Sequence, residues 1–306
     1  MIHIKNTRST EIKAVRKTDC LRYVPVAIFA AVMSLTSCVK DELFDTPHPD
    51  HGKVTVTADW SARGEGIAVP DKWTVNIGDY TGEETAETHA PDYLFTPGEY
   101  SIIAYNPAEK ITVSGTTASV TSGNGRSGFI SGTPSILFTH VQNITIKKDK
   151  EHVFTAAMRQ QTGCITLMIE PAGDAADRIG SIEGILSGVA GTMDFATSTY
   201  GAPSDVALHF TKIAEGEHAG KWTTTIWLLG IAGDVQKLTG TITFTGGNPQ
   251  SMSLESDLTA SLKDFNTNKT EPLTLGSTLV ETPAEAGFKA TITDWNTVTG
   301  KPGEAM

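Results

Sequence analysis

Cys38 is the residue best placed to do chemistry. It closes the run Leu35-Thr36-Ser37-Cys38: a branched apolar residue, two small residues, then a thiol. In bacterial precursors of this pattern the sulfur takes a diacylglycerol, the chain is cut before the cysteine, and the new amino group can be acylated. The elements that would present the thiol stand in front of it. An apolar run from Val24 to Leu35 follows a basic segment carrying Lys5, Arg8, Lys13, Arg16, Lys17 and Arg22. That is the order of a secretory signal peptide. The apolar run is twelve residues, short of the roughly 20 a spanning helix needs. The alternative is a buried helix that ends by chance in cysteine, but the rest of the chain shows almost no other helical periodicity. Two acyl chains give stable attachment where one is marginal, so processing would fix the chain permanently to a membrane. The expectation is a lipoprotein signal peptide over residues 1–37 and lipidation at Cys38.

Charge excludes one class of partner. The formal net charge is -11 over 306 residues. The first 37 residues carry six Lys/Arg against two Asp/Glu, which leaves the remainder near -15. Such a surface repels phosphate backbones, so nucleic acid is not an expected partner. Of the three cysteines, Cys20 leaves with the signal and Cys38 takes lipid. Cys164 remains in the apolar run Cys164 to Ile169, where it reads as a small buried hydrophobe rather than a nucleophile. No intramolecular disulfide is then possible.

Other candidate chemistry is thin. His48 and His51 have helix-face spacing for a metal, but Pro49 lies between them and breaks the helix they would need. Gly123-Asn124-Gly125-Arg126-Ser127-Gly128 has the dinucleotide spacing. That chemistry needs a helix to begin within the loop, and Phe129-Ile130-Ser131-Gly132-Thr133-Pro134 is not one. Gly180, Gly184 and Gly188 repeat a membrane-helix packing spacing, but Asp177, Arg178 and Glu183 are interspersed. Glycines of a strand, at bulges or close backbone approaches, fit better. Glu83, Glu84, Glu87 and His89 read as a solvated acidic loop. There is no Gly-x-Ser-x-Gly, His-Glu-x-x-His or Walker loop, so no catalytic residue, metal or cofactor is assigned and no enzyme is expected. Of the five tryptophans, Trp60, Trp73, Trp222, Trp227 and Trp295, most sit in strand-like runs where they fill a core. Trp227 alternates away from Trp222, Ile226 and Leu228 and could stack on a sugar.

The elements are strands. Residues 39 to 52, punctuated by Pro47, Pro49, Asp50 and Gly52, read with Cys38 as a lipidated tether over 38–52, with a reach of at most about 50 Å. From Lys53 the run Lys53-Val54-Thr55-Val56-Thr57-Ala58-Asp59-Trp60 alternates apolar and polar, the pattern of a half-buried strand. Further runs follow at Trp73–Ile77, Tyr100–Tyr105, Ile111–Val120, Ile136–Thr139 and Asn143–Lys147. The charged break Lys147-Lys148-Asp149-Lys150-Glu151 reads as a domain boundary. Beyond it come His152–Arg159, Cys164–Glu170, Ile182–Val189, Val206–Thr211, Trp222–Leu229, Leu238–Thr245, Met252–Leu262, Pro272–Leu275 and Phe288–Trp295. Helix is scarce, limited to one short turn at Asp174–Ile179. The expectation is all-β: one sandwich over 53–148, a second over 149–295, and a loose tail over 296–306.

With these blocks in view the chain resembles the FimB/Mfa-type fimbrial anchor subunit family of Bacteroidales lipoproteins, associated with type V pili. The resemblance rests on Cys38-Val39-Lys40-Asp41-Glu42 followed by Lys53 to Thr57, and on Phe154-Thr155-Ala156-Ala157-Met158-Arg159-Gln160-Gln161. Leu186-Ser187-Gly188-Val189-Ala190 and the closing Ala290-Thr291-Ile292-Thr293-Asp294-Trp295 complete it. It implies two tandem transthyretin-like β-sandwich domains, and Lys40, Asp41 and Glu42 as an export signal to the outer face of the outer membrane. It also implies pilus stalk subunits of the same fold as partners, joined by strand addition. Stalk subunits of such pili are cut at an arginine. Arg63, in the loop after the first strand, is therefore a possible protease-sensitive position, and retention of the segment before it is the expectation for an anchor. The alternative function is a surface lipoprotein that binds glycans through exposed aromatics.

Overall fold

The computed structural model describes residues 50–123, 128–172, 176–246, 249–284, 287–292 and 294–298. Among them the chain is nearly all strand, with one helix, α1 (Thr259–Leu262), and a 3-10 turn at Ala176–Arg178. Alternation drives this. In β1 (Lys53–Asp59) Val54, Val56 and Ala58 point inward and are buried, while the residues between them face outward.

Two sheets enclose a first core. The smaller sheet sets β1 between β10 (Glu151–Ala157) and the short β4 (Thr88–His89), with β1 parallel to β10 and antiparallel to β4. The larger runs in the order β11 (Arg159–Gln160), β9 (Phe138–Ile146), β5 (Gly98–Tyr105), β2 (Trp73–Ile77) and β3 (Tyr80–Glu84). Val54, Val56, Trp60, Trp73, Val75, Phe95, Ile102, Phe138, Ile144 and Met158 share the core. Full burial of Val54 and Val56 contributes on the order of 3–6 kcal/mol together, an upper figure because unfolded chains already bury some apolar surface.

A second core lies inside a ring of strands. The order is β12 (Gly163–Pro171), β17 (Trp222–Leu228), β16 (Pro203–Lys212), β13 (Ile179–Ala190), β18 (Lys237–Phe244), β19 (Ser251–Asp257), β21 (Gly287–Ile292) and β20 (Leu273–Ala284). The ring closes because β20 also pairs with β12, in parallel, from Ile165↔Leu273 to Pro171↔Leu279. Two joints are short: β16–β17 has two residue pairs and β19–β21 has two. The ring is therefore a sandwich sealed at both sides, which leaves few strand edges open. β22 (Asn296–Thr297) adds to β20, so the stretch expected as a loose tail begins in strand.

A further four-stranded sheet joins β6 (Ile111–Ser114) and β7 (Thr117–Val120) to β14 (Thr192–Asp194) and β15 (Thr199–Tyr200), and β8 (Phe129–Ile130) pairs with β16. The run Ile111–Val120 is thus a hairpin, not one strand: Gly115, at φ +57, supplies the turn conformation that side chains disfavour. Ala118, Val120, Ile130 and Leu137 pack into the second core, whereas β10 and β11, from beyond Glu151, belong to the first. Position 148/149 therefore separates strands that share a core. The charged run there is the turn between β9 and β10, with Asp149 at φ +53, which Asp tolerates. Met252–Leu262 likewise splits, because Asp257 Oδ1 accepts the Thr259 N–H at 2.8 Å and turns the chain into α1.

Candidate functional site

The sequence placed the chemistry at the N-terminal end. Cys38, Lys40, Asp41 and Glu42 lie outside the described residues, as does His48. The chain enters the fold one step before β1. Gly52 exchanges both backbone bonds with Phe95, at 2.8 and 2.9 Å, and His51 O accepts the Asp149 N–H at 3.0 Å. A Cβ on Gly52 would stand 2.6 Å from Ile146 and 2.7 Å from the Lys147 carbonyl, so only glycine admits this entry. The last residues expected as tether are thus already fastened to the turn between β9 and β10. Among the described residues no three His, Cys, Asp or Glu side chains converge on a metal position.

Arg63 follows β1 on an exposed loop, as expected, but it is not loosely held. Its Nε donates to Ile67 O and a terminal nitrogen to Trp60 O, each at 3.0 Å, and its backbone N–H reaches Trp60 O at 3.3 Å. The next residue, Gly64, is buried and donates its N–H to Gln160 Oε1 at 3.0 Å. A Cβ there would meet the Thr270 carbonyl at 2.5 Å. Gln160, 7% exposed, turns its amide nitrogen to Thr162 O (2.9 Å) and Lys269 O (2.8 Å).

Sequence reasoning missed Lys269. It sits in the polar run Asn266-Thr267-Asn268-Lys269-Thr270, which carries no periodicity to mark a buried residue, yet it is 8% exposed. Its Nζ donates to Gln161 O at 2.9 Å and to Leu229 O at 2.5 Å, with Met193 Sδ at 3.7 Å and the Tyr200 ring centroid at 5.0 Å. No carboxylate faces it among the described residues. Burial lowers its pKa to about 7. Gln160 and Lys269 together tie the loop after β1 to β11 and to the second core.

The solvated reading of the acidic loop holds for Glu83 and Glu87, which are exposed, and is corrected at His89. His89 is buried because Val56 of β1 stands opposite it in register. Its Nε2 lies 2.9 Å from Tyr80 Oη and its Nδ1 3.4 Å from Glu84 Oε2. Glu84 Oε1 accepts the backbone N–H groups of Ala86 and Thr85, and these bonds lower its pKa. Burial, and then the Glu84 charge, raise that of Tyr80. A raised phenol is the opposite of an activated nucleophile. The set Tyr80–His89–Glu84 ties the short β4 to β3.

The remaining candidates resolve into structure. Cys164 is buried and desolvation pushes its thiol up to about 11, far from the lowered range of reactive cysteines. Residues 124–127 of the glycine-rich loop lie outside the described residues, and the chain leaves the loop into β8 rather than into a helix. Gly180, Gly184 and Gly188 all belong to β13, and Gly188 sits in a register shift at φ +72, a bulge of the kind its spacing suggested. Trp60, Trp73, Trp222 and Trp295 are buried. Trp227 is half-buried, facing away from Trp222 as its alternation predicts.

Residues 51–301 match the model of the family described as fimbrillin-A associated anchor proteins Mfa1 and Mfa2. Among solved structures, the fimbrial anchor protein Mfa2 from Porphyromonas gingivalis superposes with a TM-score of 0.53 at 12% identity, over 78% of this chain and 95% of that one. A candidate adhesin from Bacteroides ovatus superposes with a TM-score of 0.52 at 16% identity, over 88% of this chain and 99% of that one. At these identities the likeness is one of fold. No curated protein sequence matches the chain.

Proposed function

The chain belongs to the family of fimbrillin-A associated anchor proteins, and from that membership we propose that it is a surface-exposed outer-membrane lipoprotein that anchors or assembles a fimbria by β-strand addition. The family is one of fimbrial structural proteins, not of enzymes, and it carries an association with the cell surface. Lipid on Cys38 holds the protein, Lys40, Asp41 and Glu42 direct its export, and its partners are pilus subunits of the same fold. The two cores are read as transthyretin-like sandwiches.

The observation that carries this reading is the extent of the family match, residues 51–301, which begins at the entry to β1 and includes both cores. Retention of β1 is part of the proposal. β1 is the central strand of its sheet and buries Val54, Val56 and Ala58. The Arg63–Gly64 peptide that a protease would cut is bonded on both sides, while proteases bind their substrates as extended chain. Intact-mass measurement on protein extracted from the membrane tests this. An acylated chain beginning at Cys38 is the expected species; a chain beginning at Gly64 means that β1 is shed and the retained-anchor reading fails.

A further inference from the structure

We infer that the free edge of β10 pairs with the same edge of a second copy of this chain, antiparallel and about a two-fold axis at Val153. The inference stands apart from the fimbrial reading: no strand is donated, and each copy keeps its fold.

Among the described residues β10 is the longest strand at a sheet edge, seven residues against five for β3 and four for β6. An edge strand invites pairing unless charge, proline or a cover blocks it. The edge of β3 carries Glu83 and Glu84. β10 has no lysine and no proline, and its one carboxylate, Glu151, stands at the end. Val153 is 74% exposed.

Pairing with β1 determines which backbone groups are free. Lys53 N–H donates to Lys150 O, and Met158 N–H donates to Asp59 O. The even-numbered residues of β10 therefore turn their backbone groups to β1, and the odd-numbered ones turn theirs away. Ala157 O is covered, with His140 Nδ1 at 3.2 Å. The N–H and C=O groups of Glu151, Val153 and Thr155 have no partner among the described residues.

That free run is symmetric about Val153, and the symmetry selects the occupant. Two copies paired on this axis set Val153 against Val153 and Glu151 against Thr155. Each opposed pair exchanges both backbone bonds, so every free group of the run is used. Moving the axis to Thr155 would call on Ala157 O, which is already taken. The side chains agree with the register. On the outer face Glu151 meets the Thr155 hydroxyl, a donor, and the two valines cover each other. On the inner face His152 meets Phe154, rings that already lie parallel within one chain at 6.0 Å. Cross-strand pairs of these kinds stabilise a sheet. The two Glu151 residues stand about 13 Å apart along the strands, beyond a Debye length in physiological salt. The net charge of -11 on each chain opposes association and keeps the pairing reversible.

The test is sedimentation equilibrium of the detergent-solubilised mature protein. Its mass rises towards twice that of one chain with a Kd on the order of 100 µM, the weak end expected of a small interface. Val153→Lys sets two ammonium groups on the axis and weakens the dimer by at least about ten-fold. The position is exposed, so the urea midpoint of dilute protein stays where it was. Thr81→Lys, exposed on the edge of β3, leaves the dimer unchanged. A short bismaleimide joins Val153→Cys to its copy and does not join Thr81→Cys. The mass of one chain at every concentration overturns the pairing and leaves the edge to a different protein or to water. A dimer indifferent to Val153→Lys puts the contact on another surface and overturns it equally.

Discussion

Gln160 accepts the backbone N–H of Gly64 at 3.0 Å, across 96 positions of sequence. One buried amide thereby fixes the loop behind β1, and its other end holds the Lys269 carbonyl. Gln160→Ala strands the Gly64 N–H and two carbonyls away from water, each penalised by about 1–3 kcal/mol less whatever water enters the space. The expected loss is about 2–4 kcal/mol, seen as a lower urea midpoint. Amide exchange at Gly64 should accelerate well beyond the global change. An unchanged midpoint would mean that the loop is held by other contacts.

Val56 is fully buried at the centre of β1, opposite both Phe154 and His89. Val56→Ala removes two methyl groups from the first core and should cost about 2 kcal/mol. Val153, on β10 and 74% exposed, provides the contrast: Val153→Ala should shift stability by less than about 0.5 kcal/mol. Equal effects of the two would contradict the inward assignment of β1.

Lys269 predicts a pH dependence with a definite sign. Its folded pKa is lowered from 10.5 to about 7. Between those values the unfolded chain binds a proton that the folded chain has released, so this group's contribution to stability rises with pH from about 7 and is smallest below it. Relative to Lys269→Met, the protein should gain on the order of 2–3 kcal/mol between pH 7 and pH 9. Parallel denaturation curves for the two proteins across that range would show that the amine is solvated.

Cys164 should be inert while the protein is folded. A thiol held near pH 11 is about one part in a thousand thiolate at pH 8, and it is buried as well. Labelling with a disulfide reagent should be negligible under native conditions and complete in denaturant. Rapid native labelling would place Cys164 at an open surface.

Local alternation made much of the fold legible. Lys53–Asp59 and Trp222–Leu228 begin where the pattern begins, because each strand has one wet face and one dry face, and side-chain period reports that directly. Pairing is another matter. That β1 lies parallel to β10, and that Ala118 and Ile130 cross to the second core, depends on contacts between distant segments that no local period encodes. The site residues divide the same way. Arg63 announces an exposed loop by its Gly-flanked context. The burial of His89, Gln160 and Lys269 is invisible, since each is polar and disappears from solvent only because the fold supplies partners from elsewhere.

The most direct measurement is a pull-down of the mature protein from gently solubilised outer membrane, run on gels with and without boiling. Strand addition commits a run of backbone hydrogen bonds and buried side chains to the junction, which detergent alone does not open. Anchoring by strand addition predicts a ladder that survives until boiling and contains other subunits of the same fold. A single monomer band under both conditions would contradict anchoring by strand addition.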